Sequence, residues 1–280
     1  MTYLMKPTNN GLASIDEVKA WMEAQSCEMI EEKIAKKKPE EATTRQSGRV
    51  ISKEGNHYLL HDITVNGKTN DYLWSGTLLP GDRIQTSATQ TQDEWLDNQE
   101  YRTIDGIQFD IPDATEYARA ILALYRNRNI ADGKEKNLLK RFSAILKRDF
   151  RSRMTTSTHI DYLATEDDIV KHHHKRSGEG YMMYVNIAGK DHHLDTTSSL
   201  ETNIFFDIDN AQEIIDAIAW LTGKSKIQLL CHVKENKDIE RNLVLGSIGE
   251  DYRFFVDADN SAISDWPARG VLVRERSDQP

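Results

Sequence analysis

Between Arg126 and Arg153 the chain sets ten Lys or Arg residues against three Asp or Glu, a net of +7. The whole chain carries −9, so the residues outside this segment carry −16. A run of fixed cations is a ready binding surface for phosphates, carboxylates or anionic lipid headgroups. Inside it Leu138, Leu139, Phe142, Ile145 and Leu146 recur at helical spacing, while Lys140, Lys147 and Arg151 fall on another face, joined by Arg141 and Arg148. The spacing predicts a helix that docks its apolar side on its own protein and turns a cationic ridge outward. A plain connecting helix, neutralised by acidic patches of the same chain, would carry the same pattern.

A second cluster is Lys171-His-His-His-Lys-Arg176, followed by His192 and His193. Five of the nine histidines lie within 22 residues. Zinc needs three or four ligands converging at about 2 Å. Neighbouring side chains on a strand face opposite ways, so His172 and His174 share a side and His173 does not. In the expected meander His192 stands two strands away, roughly 9–10 Å. No metal centre or other cofactor is therefore expected, and His172, His174 and His192 are the only ligand candidates the spacing leaves. Lys171, Lys175 and Arg176 extend a basic patch beside Tyr181.

Asp257-Ala-Asp-Asn-Ser-Ala-Ile-Ser-Asp265 has the rhythm of a calcium loop. It lacks the glycine at the sixth position and the glutamate at the twelfth, where Ala268 stands. A turn capped by Asp and Asn side chains is expected instead. GxGxxG, Walker A, HExxH and GxSxG are all missing from the sequence, so the common nucleotide-loop, zinc-protease and serine-hydrolase signals are not met.

The elements that must position these residues are read from composition and period. The chain has 280 residues, 38% hydrophobic and 29% charged, a size that favours more than one domain. Two cysteines, Cys27 and Cys231, exclude a disulfide framework and a CxxC site. No apolar run reaches about 18 residues, so no transmembrane helix is expected. The first residues, MTYLMKPTNNG, lack the order of a signal peptide, and a cytoplasmic location is expected.

Ser14-Ile-Asp-Glu17 is a capping box that starts an N-terminal helix through Val18, Trp21, Met22, Met29 and Ile30. This arm, with its linker, is assigned to 1–46, either packing on its own protein or joining copies into a homo-oligomer. Residues 47–130 read as a β-meander closed by a helix. Asn66-Gly67 marks a hairpin between Tyr58–Val65 and the strand carrying Tyr72 and Trp74. Residues 131–160 hold the basic connecting helix, and 161–280 a second meander, a helix and further strands.

An ungapped internal match supports the division. Ile107–Leu124 aligns with Ile204–Leu221 at an offset of 97, with nine of 18 positions identical. Each copy is expected to begin with a short Phe-Asp-Ile strand, then an N-cap, Asp113 or Asn210, with Glu116 or Glu213 three residues on. The helices would bury Tyr117, Ile121 and Leu124, and Ile214, Ile218 and Leu221. The expected fold is thus α+β, two meander-plus-helix units joined by a cationic helix.

The function this suggests is nucleic-acid binding without catalysis. Lys140, Arg141, Lys147, Arg148, Arg151, Lys171, Lys175 and Arg176 would hold the phosphates of a single strand, with Tyr72, Trp74 and Tyr181 stacking bases. Two other readings compete: a protein–protein adaptor or viral assembly component that docks on acidic surfaces, and a metal-dependent hydrolase using the histidine-rich turn.

Overall fold

The computed structural model describes residues 50–65, 67–80, 96–130, 133–151, 153–173, 182–189, 191–233, 235–247, 253–260 and 267–275. Contacts divide the chain into Met1–Gly48 and Arg49–Pro280, and every described residue belongs to the second unit. The expected N-terminal helix and its linker lie outside the described residues. Among the described residues no helix is long and apolar enough to cross a membrane.

The fold is α+β, as the patterning predicts. Strands β1 (Ile51–Glu54), β2 (His57–Val65) and β3 (Lys68–Leu78) pair antiparallel in succession. Val65 pairs with Lys68 across the predicted hairpin, and Gly67 there has φ 74°, a backbone glycine adopts without strain. A short hairpin follows, β4 (Thr103–Ile104) with β5 (Ile107–Gln108). Helices α1 (Ala114–Arg126) and α2 (Gly133–Asp149) come next. Then β6 (Arg153–Tyr162), β7 (Asp168–Lys171), β8 (Met182–Val185) and β9 (His192–Leu194) lead to α3 (Ser199–Phe206) and α4 (Ala211–Thr222). The chain closes with β10 (Lys226–Leu230), β11 (Ile239–Gly246), β12 (Arg253–Asn260) and β13 (Arg269–Arg274).

The strands do not sort into two self-contained meanders. The four-stranded sheet runs β1-β2-β3-β13, so its last member comes from the far end of the chain. The seven-stranded sheet runs β8-β7-β6-β11-β12-β10-β9, with β10 parallel to β12. Strand β13 pairs with β3, and its Gly270 lets Phe109 pack directly on the backbone, because a Cβ there would stand 2.5 Å from the Cβ of Phe109.

The internal match is correct for its second half only. Asp113 and Asn210 are both N-caps whose side chains accept from the backbone of Glu116 and Glu213, and all six predicted apolar positions are buried. The first halves differ. Phe109 is extended and packs in a small cluster with Leu59, Leu73 and Leu79, whereas Phe206 ends α3 and belongs to the main core. The expected strand at Ile204–Ile208 is therefore wrong. A cap followed by Glu and an apolar stripe is how any amphipathic helix begins, so this likeness does not require a copied unit. The two helices pack against each other. Arg126 of α1 donates two 2.6 Å bonds to Glu213 of α4, and Arg119 reaches the Asp207 carboxylate at 2.8 Å.

Residues 153–160, assigned to the connecting helix, belong to β6. This strand is buried along almost its whole length, yet reads Met154-Thr-Thr-Ser-Thr-His-Ile-Asp-Tyr162, with no apolar alternation to announce it. Its polar side chains are used for bonding: Thr156 donates to the Leu243 carbonyl, and the Thr158 hydroxyl accepts from the backbone of Ala114. The predicted Asp/Asn turn at 257 is likewise strand as far as Asn260, and Asp257 pairs with Arg153 at 2.7 Å. An aromatic chain ties the layers together: Tyr58 stacks on Phe142, Trp74 touches Phe142 and Tyr117, and Tyr117 meets Phe150, which meets Phe254.

Candidate nucleic-acid interface

Helix α2 buries Leu139, Phe142 and Leu146 and leaves Lys140, Arg141, Lys147 and Arg148 exposed. Its inner face is fixed by Phe142 between Tyr58 and Trp74, and its start by the Glu135 carboxylate, which accepts from the backbone of Val50 and Ile51. Lys136, Lys140, Ser143, Ala144 and Lys147 recur at the three- and four-residue steps that share one helix face.

That face forms one wall of a groove of about 280 Å³. The opposite wall comes from the ends of α1 and α4: Leu124, Arg128, Trp220 and Leu221. The ion pairs between the matched helices place it there, because Arg126 and Arg119 hold α4 and the segment before it against α1. Tyr125 meets the Trp220 ring edge-on at 5.9 Å, and the Arg128 guanidinium lies 3.8 Å from the Tyr125 centroid while donating to the Tyr125 carbonyl at 2.6 Å. Trp220 remains 38% exposed. Four cations thus surround an accessible indole on an apolar floor of Leu124, Leu139 and Leu221, and no carboxylate is among the lining residues. Aromatic stacking and cationic contact in one groove are the two parts of a single-strand binding surface. The volume lies just below the ~300–1,000 Å³ typical of ligand pockets.

The predicted residues are therefore distributed unevenly. Lys140 and Lys147 line the groove. Arg141, Arg148 and Arg151 are exposed outside it, and Arg148 stands 3.6 Å from Asp149. Tyr72 and Trp74 are a correction: at 3% and 1% exposure both are core, and neither can receive a base. Lys171 is turned inward onto the Asp161 carboxylate. Burial pushes that carboxyl up, but bonds from His159 and Lys171 outweigh it and hold it below its ordinary value. Lys175, Arg176, Tyr181 and His174 lie outside the described residues, as does the side chain of His192.

His172 is a second correction. It is buried, with Nδ1 3.1 Å from the Thr158 hydroxyl and Nε2 2.8 Å from the Ile204 carbonyl, so both nitrogens serve packing and neither is offered to a metal. Burial lowers its pKa. The alternation argument fails because β7 ends at Lys171, before the histidines begin.

Sequence reasoning missed Arg128, Lys136 and Trp220. Both cations lie within the +7 segment: Lys136 stands one turn before Lys140 on the same face of α2, and Arg128 precedes that helix. Trp220 carried a signal of its own: a large aromatic on an amphipathic helix, away from the Ile214, Ile218, Leu221 stripe. Comparisons with protein-family models, curated proteins and solved structures find no match to this chain.

Proposed function

We propose that this protein binds single-stranded nucleic acid, without catalysis, along the groove between α2 and the joined ends of α1 and α4. One observation carries the reading: Lys136, Lys140 and Lys147 line one wall of a groove whose other wall carries Arg128 and the exposed Trp220. An unpaired base would stack on the indole, and the flanking phosphates would lie along the lysines. Arg141, Arg148 and Arg151 extend the positive field beyond the groove and would guide the strand toward it. A duplex, with its bases stacked inward, offers nothing to Trp220, so single strands are preferred. The overall charge of −9 limits binding to this one locally cationic face. We place this activity in the cytoplasm, where a thiol such as Cys231 stays reduced.

The experiment is a mobility-shift panel with single- and double-stranded DNA and RNA at two salt concentrations, with a poly-glutamate competitor. Single strands should bind tighter than duplexes, with affinity falling as salt rises. Failure to retain any nucleic acid at low salt overturns the reading. So does equal competition by poly-glutamate, which would favour docking on an acidic protein.

A further inference from the structure

The carboxylates that start α1 do more than cap it. Asp113 Oδ1 accepts from the Glu116 backbone N–H at 2.8 Å and from the Thr115 hydroxyl at 2.6 Å, and Glu116 Oε2 accepts from the Asp113 N–H at 3.0 Å. One oxygen of each carboxylate is thus committed to the cap. The other oxygens converge on a third side chain. Asp113 Oδ2 is 2.8 Å from His173 Nε2, and Glu116 Oε1 is 3.8 Å from the same nitrogen. One donor atom from each residue lies within 4.8 Å of the other two. Asp113 and Glu116 are fully buried, and the His173 side chain, 19% exposed, is the side open to water. His173 follows β7 in a left-handed backbone, φ 58°, and this turn carries its ring back onto the helix start.

We infer that Asp113, Glu116 and His173 form a binding site for a first-row divalent transition-metal ion. Two donors each about 2.1 Å from one ion are about 2.8–3.8 Å apart for angles between about 85° and 130°, and both measured separations fall in that span. One imidazole with two carboxylates suits manganese, iron or zinc, whereas calcium and magnesium prefer oxygen alone. The capping bonds from Thr115 and the backbone fix both carboxylates in place, as outer partners do around metal ligands.

The remaining three-residue cluster among the described residues, His159 with Asp161 and Glu240, is a poorer site. Its Asp161 carboxylate already holds the Lys171 ammonium, and its Glu240 is 69% exposed. The inferred site is separate from the groove. Asp113 and Arg128 flank the two ends of α1, whose 13 residues span about 20 Å, so either assignment can fail without the other.

The test titrates chelator-treated full-length protein with Mn2+ and with Zn2+ by calorimetry, and records the Mn2+ paramagnetic resonance. One saturable site per chain is expected, with a nitrogen coupling from the imidazole, and Mg2+ should bind at least tenfold more weakly. Two variants locate it. Glu116→Gln keeps an oxygen for the Asp113 N–H, and His173→Asn keeps a side chain that tolerates the left-handed backbone. Each should weaken Mn2+ binding at least tenfold, and His173→Asn should abolish the nitrogen coupling. His159→Ala should change neither. Absence of saturable binding overturns the inference, as does binding that survives both variants or is lost only in His159→Ala; either variant alone decides if the other does not fold.

Discussion

Two regions of one helix, α2, treat charge in opposite ways. Along its groove face Lys136, Lys140 and Lys147 stand in water beside Trp220. At its C-terminal end Asp149 is 3% exposed, and its carboxylate accepts a 2.6 Å bond from Arg269, which is wholly buried and also donates to the Ser75 carbonyl. Among the described residues the first set makes no ion pair. The second joins α2 to strands β3 and β13 and is spent on the fold. Exposed ion pairs contribute little, while a buried charge left without its partner is costly. Charge on this helix is therefore solvated along one face and structural where it is buried, and under the proposed function a variant at one place should leave the other's property intact.

The largest effect is expected at the buried end. Asp149→Ala leaves the Arg269 guanidinium without its carboxylate and should cost about 3–5 kcal/mol of stability, measured by urea unfolding. Where the variant still folds, its affinity for single strands should match that of the parent. A loss below about 1 kcal/mol would show that the pair is not the anchor the geometry indicates.

The converse variant is Lys140→Glu with Lys147→Glu. Unfolding should be unchanged, while binding of a single strand should weaken at least tenfold. Losing two phosphate contacts should also flatten the slope of log affinity against log salt by about 1.4. Unchanged affinity would remove the groove from the binding surface. Trp220→Ala is the next step down: the loss of stacking should weaken single-strand binding by about tenfold and leave weak duplex binding unaltered. Equal loss for both would mean the indole does not read unpaired bases.

The smallest effect is at the bridge between α1 and α4. The hydrogen bonds from Arg126 hold the Glu213 carboxyl below its ordinary value. Its stabilisation is therefore complete above the unfolded-state pKa of about 4.3 and is lost as pH falls through the lower folded-state value. Because Arg126 is half exposed, the contribution should stay below about 1 kcal/mol. Glu213→Gln should lower the melting temperature slightly at pH 7, and the gap from the parent should narrow as the pH falls below the unfolded-state value. A constant gap would assign the loss to packing.

Elements set by local chemistry were legible in the sequence. The β2–β3 hairpin follows from Asn66-Gly67, the caps of α1 and α4 from Asp113 and Asn210, and the amphipathic α2 from its period. The cationic character of the exposed α2 face was equally readable, because apolar spacing alone decides which side turns outward. Strand β6 was not legible: Thr156 and Thr158 are buried where β11, the residue after β7 and the start of α1 supply hydrogen-bond partners. The likeness of the two caps was legible too, but it concealed that one copy is preceded by an extended segment and the other by a helix.

The sequence by itself determined the capped helices α1 and α4, the amphipathic α2, the β2–β3 hairpin and where positive charge collects, since each depends on neighbours within a few residues. Only the tertiary structure decided that Trp220 faces Lys140 and Lys147, that Tyr72 and Trp74 are buried, and that His173 meets Asp113 and Glu116. The contacts made by Trp220 and His173 join residues more than 50 positions apart. They arise from how helices and sheets pack to hide apolar area, which no local pattern encodes.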